Sequence, residues 1–166
     1  MNAESEAKPT VVLVDGNNYV YRAYYAIPEL SNSKGFPTNA IYGFTNMLIK
    51  LLREQKPDYV AVAFDMKGPT FRHEAFEAYK ATRKPMPEPL RPQIDYIKNI
   101  VRGFSIPVIE REGIEADDII GTLARRFAAD GLKVVVVSGD KDLMQLVNDH
   151  IVMVDTMKEV IYDVEA

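Results

Sequence analysis

Thr10-Val11-Val12-Leu13-Val14-Asp15, the stretch TVVLVD, decides how this sequence folds. Four apolar side chains follow one another without alternation and the run stops on an acid. A strand exposed to water on one face alternates polar and apolar residues. An unbroken β-branched run instead reads as a parallel strand buried on both faces. Two further stretches repeat the pattern, Tyr59–Asp65 (YVAVAFD) and Lys133–Asp140 (KVVVVSGD). Ile106–Ile109 is a weaker fourth strand and Ile151–Val154 a fifth.

Helical spacing fills the intervals. Ala40–Glu54 places Ile41, Phe44, Leu48 and Leu51 on one stripe, and Leu90–Phe104 does the same with Ile94, Ile97 and Val101. Asp117–Ala129 carries Ile119, Leu123 and Phe127, with Gly131 as its stop. Strand and helix alternating in this way predict an α/β domain with a mainly parallel sheet and right-handed crossovers. The 166 residues suffice for one core, and 47% apolar with 27% charged residues is an ordinary globular balance. There is no cysteine, which excludes disulfides, thiolate zinc, iron–sulfur ligation and a cysteine nucleophile. His73 and His150 are isolated and give no zinc pattern, and no Gly-rich nucleotide loop occurs. The aliphatic runs are too short to span a bilayer, and Met1–Pro9 reads as a disordered leader without a signal-peptide core. Together these features predict a cytoplasmic protein.

Each of the three strong strands leads to an aspartate: Asp15, Asp65 and Asp140. In parallel α/β sheets the ligand crevice lies beyond the carboxyl ends of the strands. Glu115, Asp117 and Asp118 stand at the start of the helix opening at residue 117, and Asp142 follows Asp140 in GDKD. Each acid alone has a plainer reading. Asp15-Gly16 can be a turn, Asp117 a helix cap, and Asp140 the start of a helix over Lys141–Val147. All of them at one end of neighbouring strands favour a shared pocket. Seven carboxylates together repel unless cations neutralise them, and oxygen-only ligands select Mg²⁺ or Mn²⁺. Two such ions clamped by carboxylates are suited to phosphodiester hydrolysis, one ionising the attacking water and the other stabilising the leaving oxygen. The net charge of −4 argues against a nucleic-acid partner until these seven are set aside, which leaves seventeen acids against twenty bases.

The bases gather over Lys67–Pro92, with six cations against three acids and prolines at Pro85, Pro87, Pro89 and Pro92. Within it Thr70–Arg83 reads as a helix with Arg72, Phe76, Lys80 and Arg83 on one stripe. That arrangement suits phosphates and stacked bases, although a solvated amphipathic helix with Phe71, Ala75 and Tyr79 inside would look the same. Asn17–Ala26 sets four tyrosines around Arg22, as core or as cover for a sheet edge, and Arg22 beside the Asp15 loop can hold a phosphate.

The strings VDGNNYVYRAYYA, FPTNAIYGF, FDMKGPTFRHEAFEAYKATR, GIEADDIIGTLA and SGDKDLMQLV, in this order from Val11 onward, resemble the 5′–3′ exonuclease domain at the N-terminus of bacterial DNA polymerase I, in the flap endonuclease group. The resemblance implies a PIN-like, Rossmann-like three-layer fold over residues 10–166 with 67–92 as a helical arch. It places Asp15, Asp65, Glu115, Asp117, Asp118, Asp140 and Asp142 on the family's metal-site acids. Lys80 and Arg83 then act at the scissile phosphate alongside Asp15 and Asp117. Arg22, Arg72, Phe76, Tyr79, Lys80, Arg83 and Lys84 form the DNA-contacting set. The implied substrates are 5′ flaps, 5′ ends of duplex DNA and RNA primers, removed in replication and repair in continuity with or beside a DNA polymerase, with two divalent ions. The family pattern continues into a Gly-Asp-x-x-Asp motif and a helix–three-turn–helix segment. Neither occurs before Ala166, so a second metal is expected to be incompletely held and the surface left bare to favour self-association. Two competing readings stay open. One is a DNA-binding module without turnover. The other is a phosphatase, for which DGNN lacks an acid two residues after Asp15 and the basic helix has no use.

Overall fold

The computed structural model describes residues 8–66, 86–156 and 158–164. Strand β1 (Thr10–Asp15) runs into helix α1 (Gly16–Ala26), followed by α2 (Asn39–Gln55) and β2 (Tyr59–Ala63). Next come α3 (Arg91–Gly103), β3 (Val108–Ile109), α4 (Ala116–Ala129) and β4 (Lys133–Val137). A 3₁₀ helix (Lys141–Leu146), β5 (Ile151–Asp155) and β6 (Val160–Tyr162) complete the described chain. The sheet order is β3-β2-β1-β4-β5-β6, with all neighbours parallel except the β5–β6 pair. The chain moves outward from β1 on one side to β2 and β3, then crosses back to β4. The switch in direction therefore falls between β1 and β4, the position where α/β sheets open a crevice.

The unbroken apolar runs are explained by two cores. Val12 and Val14 of β1 and Val135 and Val137 of β4 pack with α1, α2 and α3, around Tyr19, Phe44, Leu48, Ile97 and Val101. Val11 and Leu13, with Val134 and Val136, face α4 and the 3₁₀ helix through Ile120, Ala124, Leu143 and Leu146. The three-layer, mainly parallel architecture is as expected, and β2, β1 and β4 are immediate neighbours. Among the described residues no helix is long and apolar enough to cross a membrane.

Several details differ from the sequence reading. Gly16–Ala26 is a helix, with Tyr19 and Val20 in the core and Tyr21 and Tyr24 packed against it, so the core alternative holds. Asp15 caps the helix by accepting the Asn18 N–H, and Gly16 lets it start against β2, since a Cβ there would stand 2.7 Å from the Ala63 carbonyl. β2 and β4 end at Ala63 and Val137, so Asp65 and Asp140 lie on the loops just beyond. Residues 141–146 wind as a 3₁₀ helix, with the Asp140 side chain bonding the Asp142 N–H. The sixth strand is only the three residues VIY and largely exposed, too short for the sequence reading to have expected it.

A buried polar clamp joins three helices at the end of the segment 86–93. Gln93 is fully buried, donating to Asn39 Oδ1 and the Pro89 carbonyl (both 2.9 Å) and accepting from the Ile41 N–H (3.0 Å). Asn39 in turn donates to the Tyr24 carbonyl at 3.0 Å. The Ile41 N–H lies in the first turn of α2, where no helical carbonyl is available. Gln93→Leu strands that donor and the Asn39 oxygen at a cost of about 2–4 kcal/mol. We expect a melting temperature lower by roughly 5–12 °C in thermal denaturation; an unchanged value would show that the clamp is solvent-relieved.

Candidate metal centre

Asp15 closes β1 at the switch point and is only 3% exposed. Its Oδ2 accepts from Ser138 Oγ at 2.9 Å and its Oδ1 from the Asn18 N–H at 3.2 Å. Ser138 Oγ also accepts the Asp140 N–H at 3.0 Å, and Asn18 Oδ1 accepts the Gly139 N–H at 2.9 Å. The loop after β4 is thus pinned to the loop after β1. On the other side the Asp65 N–H donates to Asn17 Oδ1 at 2.8 Å, and Asp65 Oδ1 accepts the Ala116 N–H at 2.6 Å. That last bond ties the end of β2 to the N-terminus of α4. There Glu115 holds the cap position, and Asp117 and Asp118 fill the first turn, where the helix dipole favours negative charge. Asp117 is therefore a first-turn acid and not the cap.

The carboxylates feel one another. Burial pushes Asp15 up to about 6; the Asn18 and Ser138 hydrogen bonds oppose the rise and the charges of Asp65 and Asp140 add to it. Burial pushes Asp117 up to about 7, helped by the negative charge of Asp15, Asp140, Asp65 and Glu115. These five acids form one electrostatic group. Asp142 and Asp118 stand on its flank, lining with Asp117, Thr122, Arg125 and Gln145 a cavity of about 160 Å³. Among the described residues no group of three or more acids is closed tightly enough to hold an ion. The donor set is nevertheless all oxygen and overcharged, the chemistry that suits a hard divalent cation.

Arg22 lies at the same end of the sheet, paired through both terminal nitrogens with Asp155. Arg72, Phe76, Tyr79, Lys80, Arg83 and Lys84 lie outside the described residues. The described chain leaves at Met66 and returns at Met86, and both line a cavity of about 290 Å³ together with Asn17, Phe64, Asp65, Arg91 and Lys98. The sequence reading missed the two cations of this cavity. Lys98 is held by Glu110 at 2.7 Å and stands 5.4 Å over the Phe64 ring. It also missed the supporting Asn17, Asn18 and Ser138, and Asp155. Asp155 closes β5 as Asp15 closes β1, so the rule that singled out strand-end acids would have found it had the fifth strand been extended by one residue.

Known proteins resemble the chain in sequence and in fold. Residues 10–166 match the family described as 5′-3′ exonuclease, N-terminal resolvase-like domain. DNA polymerase I of Caldicellulosiruptor bescii is 51% identical over 143 residues, which is 86% of this chain and 17% of that protein. The 5′-3′ exonuclease of Aquifex aeolicus is 44% identical over 156 residues, 94% of this chain and 54% of that one. This chain therefore spans about half the length of the latter and less than a fifth of the former. In fold it is similar to the bacteriophage T5 D15 flap endonuclease in a complex with DNA and metal ions, with a TM-score of 0.69 at 21% identity, over 93% of this chain and 57% of that one.

Proposed function

The chain belongs to the 5′-3′ exonuclease family, N-terminal resolvase-like domain, and from this we propose that it hydrolyses DNA phosphodiester bonds as a metal-dependent 5′–3′ exonuclease and 5′ flap endonuclease. The observation that carries the reading is the overcharged acid group around Asp15, where adjacent strands β2, β1 and β4 end. Asp15, Asp65, Asp117 and Asp140, with Glu115 beside them, would hold Mg²⁺ or Mn²⁺, which when bound supplies charge neutralisation for the phosphodiester. The protein's part is positioning. Ser138 and the Asn18 N–H fix the Asp15 carboxylate, while the Ala116 N–H fixes Asp65. Arg22 contacts a phosphate at this rim, and Lys80 and Arg83 act at the scissile phosphate, as the family resemblance implies. Arg91 adds positive charge beside Asp65 in the cavity it shares with Lys98, which is itself paired with Glu110. The substrates are 5′ flaps, 5′ ends and RNA primers on DNA, with the chain working in continuity with or beside a DNA polymerase.

A second reading, a flap-binding module without turnover, is favoured by the open arrangement of the acids. A 5′-labelled flap incubated with Mg²⁺ and then Mn²⁺ separates the two. We expect metal-dependent release of short 5′ products that EDTA stops. Salt-sensitive binding with no product at any metal concentration would establish the binding module instead.

A further inference from the structure

We propose that Asp155 is an acidic latch on Arg22 that sets how strongly this chain holds a DNA phosphate. The inference rests on the nuclease reading above, in which Arg22 meets the substrate, and adds a residue outside the acid group. Arg22 rises from the middle of α1 with its side chain 21% exposed, whereas Asp155 is 2% exposed. Arg22 Nη1 donates to Asp155 Oδ1 and Nη2 to Oδ2, the latter at 3.1 Å. Asp155 Oδ1 also accepts the Lys158 N–H at 3.2 Å. Three residues earlier on α1, Tyr19 Oη lies 3.0 Å from Thr156 Oγ1. Two side chains on one face of α1 are thus fastened to the end of β5.

The fastening aims the guanidinium. A Cβ on Gly139 would stand 1.6 Å from Arg22 Nη2. Gly139 has no positive φ, so the position needs the missing side chain and not an unusual backbone. Arg22 therefore lies across the turn Ser138–Asp140, whose serine bonds Asp15 and whose aspartate belongs to the acid group. A guanidinium has five donors in a planar fork, and the two taken by Asp155 are of the kind a phosphate would use. Paired with a buried carboxylate, Arg22 presents little net charge to an approaching anion, while its exposed edge stays within reach. Asp155 both directs Arg22 and restrains its pull. An incoming phosphate must share or displace that carboxylate.

The test measures binding of a fluorescent 5′ flap DNA in EDTA across a salt series, for wild type, Asp155→Asn, Arg22→Gln and the double variant. Asp155→Asn keeps the side-chain shape and an acceptor for the Lys158 N–H while removing the charge. We expect it to bind about three- to tenfold tighter than wild type at about 0.1 M salt, with a salt dependence steeper by about one released counterion. In the Arg22→Gln background the same change should have no effect. Wild-type affinity and salt slope in a folded Asp155→Asn protein would overturn the latch and leave a purely structural pair, and so would tightening that persists without Arg22. Should Asp155→Asn not fold, the Arg22 guanidinium resonances of the wild type decide by NMR: they shift on adding the flap if the phosphate displaces Asp155, and an unmoved signal in the bound state overturns the proposal. If neither wild type nor any variant binds the flap, in EDTA or with Ca²⁺ added, the nuclease reading itself falls and the latch with it. Binding by all four without the Asp155 effect removes the latch alone.

Discussion

Asp15→Asn should cut metal-dependent flap cleavage by about a thousandfold or more while raising the melting temperature of the metal-free protein. The two effects have one cause. Asp15 is buried at the end of β1, two hydrogen bonds among the described residues offset its desolvation, and Asp65 and Asp140 add repulsion. Held at about 6 against 3.8 for the free side chain, it is charged at neutral pH at the expense of folding. A shift of that size corresponds to on the order of 3 kcal/mol. Asparagine fills the same space and still caps α1 by accepting the Asn18 N–H, while its Nδ2 donates to Ser138 Oγ once that hydroxyl turns round. It removes the penalty and with it the charge that would hold a divalent ion. We expect a rise of roughly 6–12 °C at pH 7.5 in EDTA, read by differential scanning calorimetry, beside loss of product in a single-turnover assay. Unchanged cleavage would remove Asp15 from the machinery, and a lowered melting temperature would mean that its carboxylate stabilises the fold.

The same physics explains what could be read from the sequence. Burial on both faces forces a strand such as Thr10–Asp15 to be apolar throughout, so β1, β2 and β4 announce themselves, and a parallel sheet brings their ends together. The acids were legible because three such runs each lead to an acid at the same end of the sheet, although Asp15 and Asp140 alone also serve as caps. Their supports were not. Asn17, Asn18 and Ser138 are ordinary loop residues until the loops are side by side, and their partners are 48, 121 and 123 positions away. α1 was hidden because its four tyrosines blur the apolar stripe, with Tyr19 buried and Tyr25 exposed. β6 was hidden because an edge strand paired on one side and mostly exposed leaves no pattern. Asp155 fell one residue beyond the expected end of its strand. The basic stripe from Arg72 to Lys84 lies outside the described residues.

The acid group should also make stability fall as pH rises, and a divalent ion should reverse that trend. Asp15 and Asp117 are held at about 6 and about 7 in the native state, above the 3.8 of a free aspartate. Between pH 4 and 7 the native protein therefore binds more protons at these sites than the unfolded chain does, and each step up in pH costs stability. The penalty is complete above pH 7 and is relieved as pH falls through the two native values. In EDTA the melting temperature should therefore be higher near pH 5.5 than near pH 8, and the difference should shrink in Asp15→Asn and in Asp117→Asn. Those variants separate this contribution from the other titrating groups of the protein. A divalent cation competes with the same protons. At about a hundred times its dissociation constant Mg²⁺ should stabilise by about 2.7 kcal/mol, or roughly 5–10 °C, near pH 8. Near pH 5.5, where the protons already neutralise the site, the shift should be much smaller. An equal metal-induced shift at both pH values would place the ion away from Asp15 and Asp117. A shift confined to high pH and lost in both variants would tie ion and proton to the same carboxylates, which is what a site built from mutually repelling acids requires.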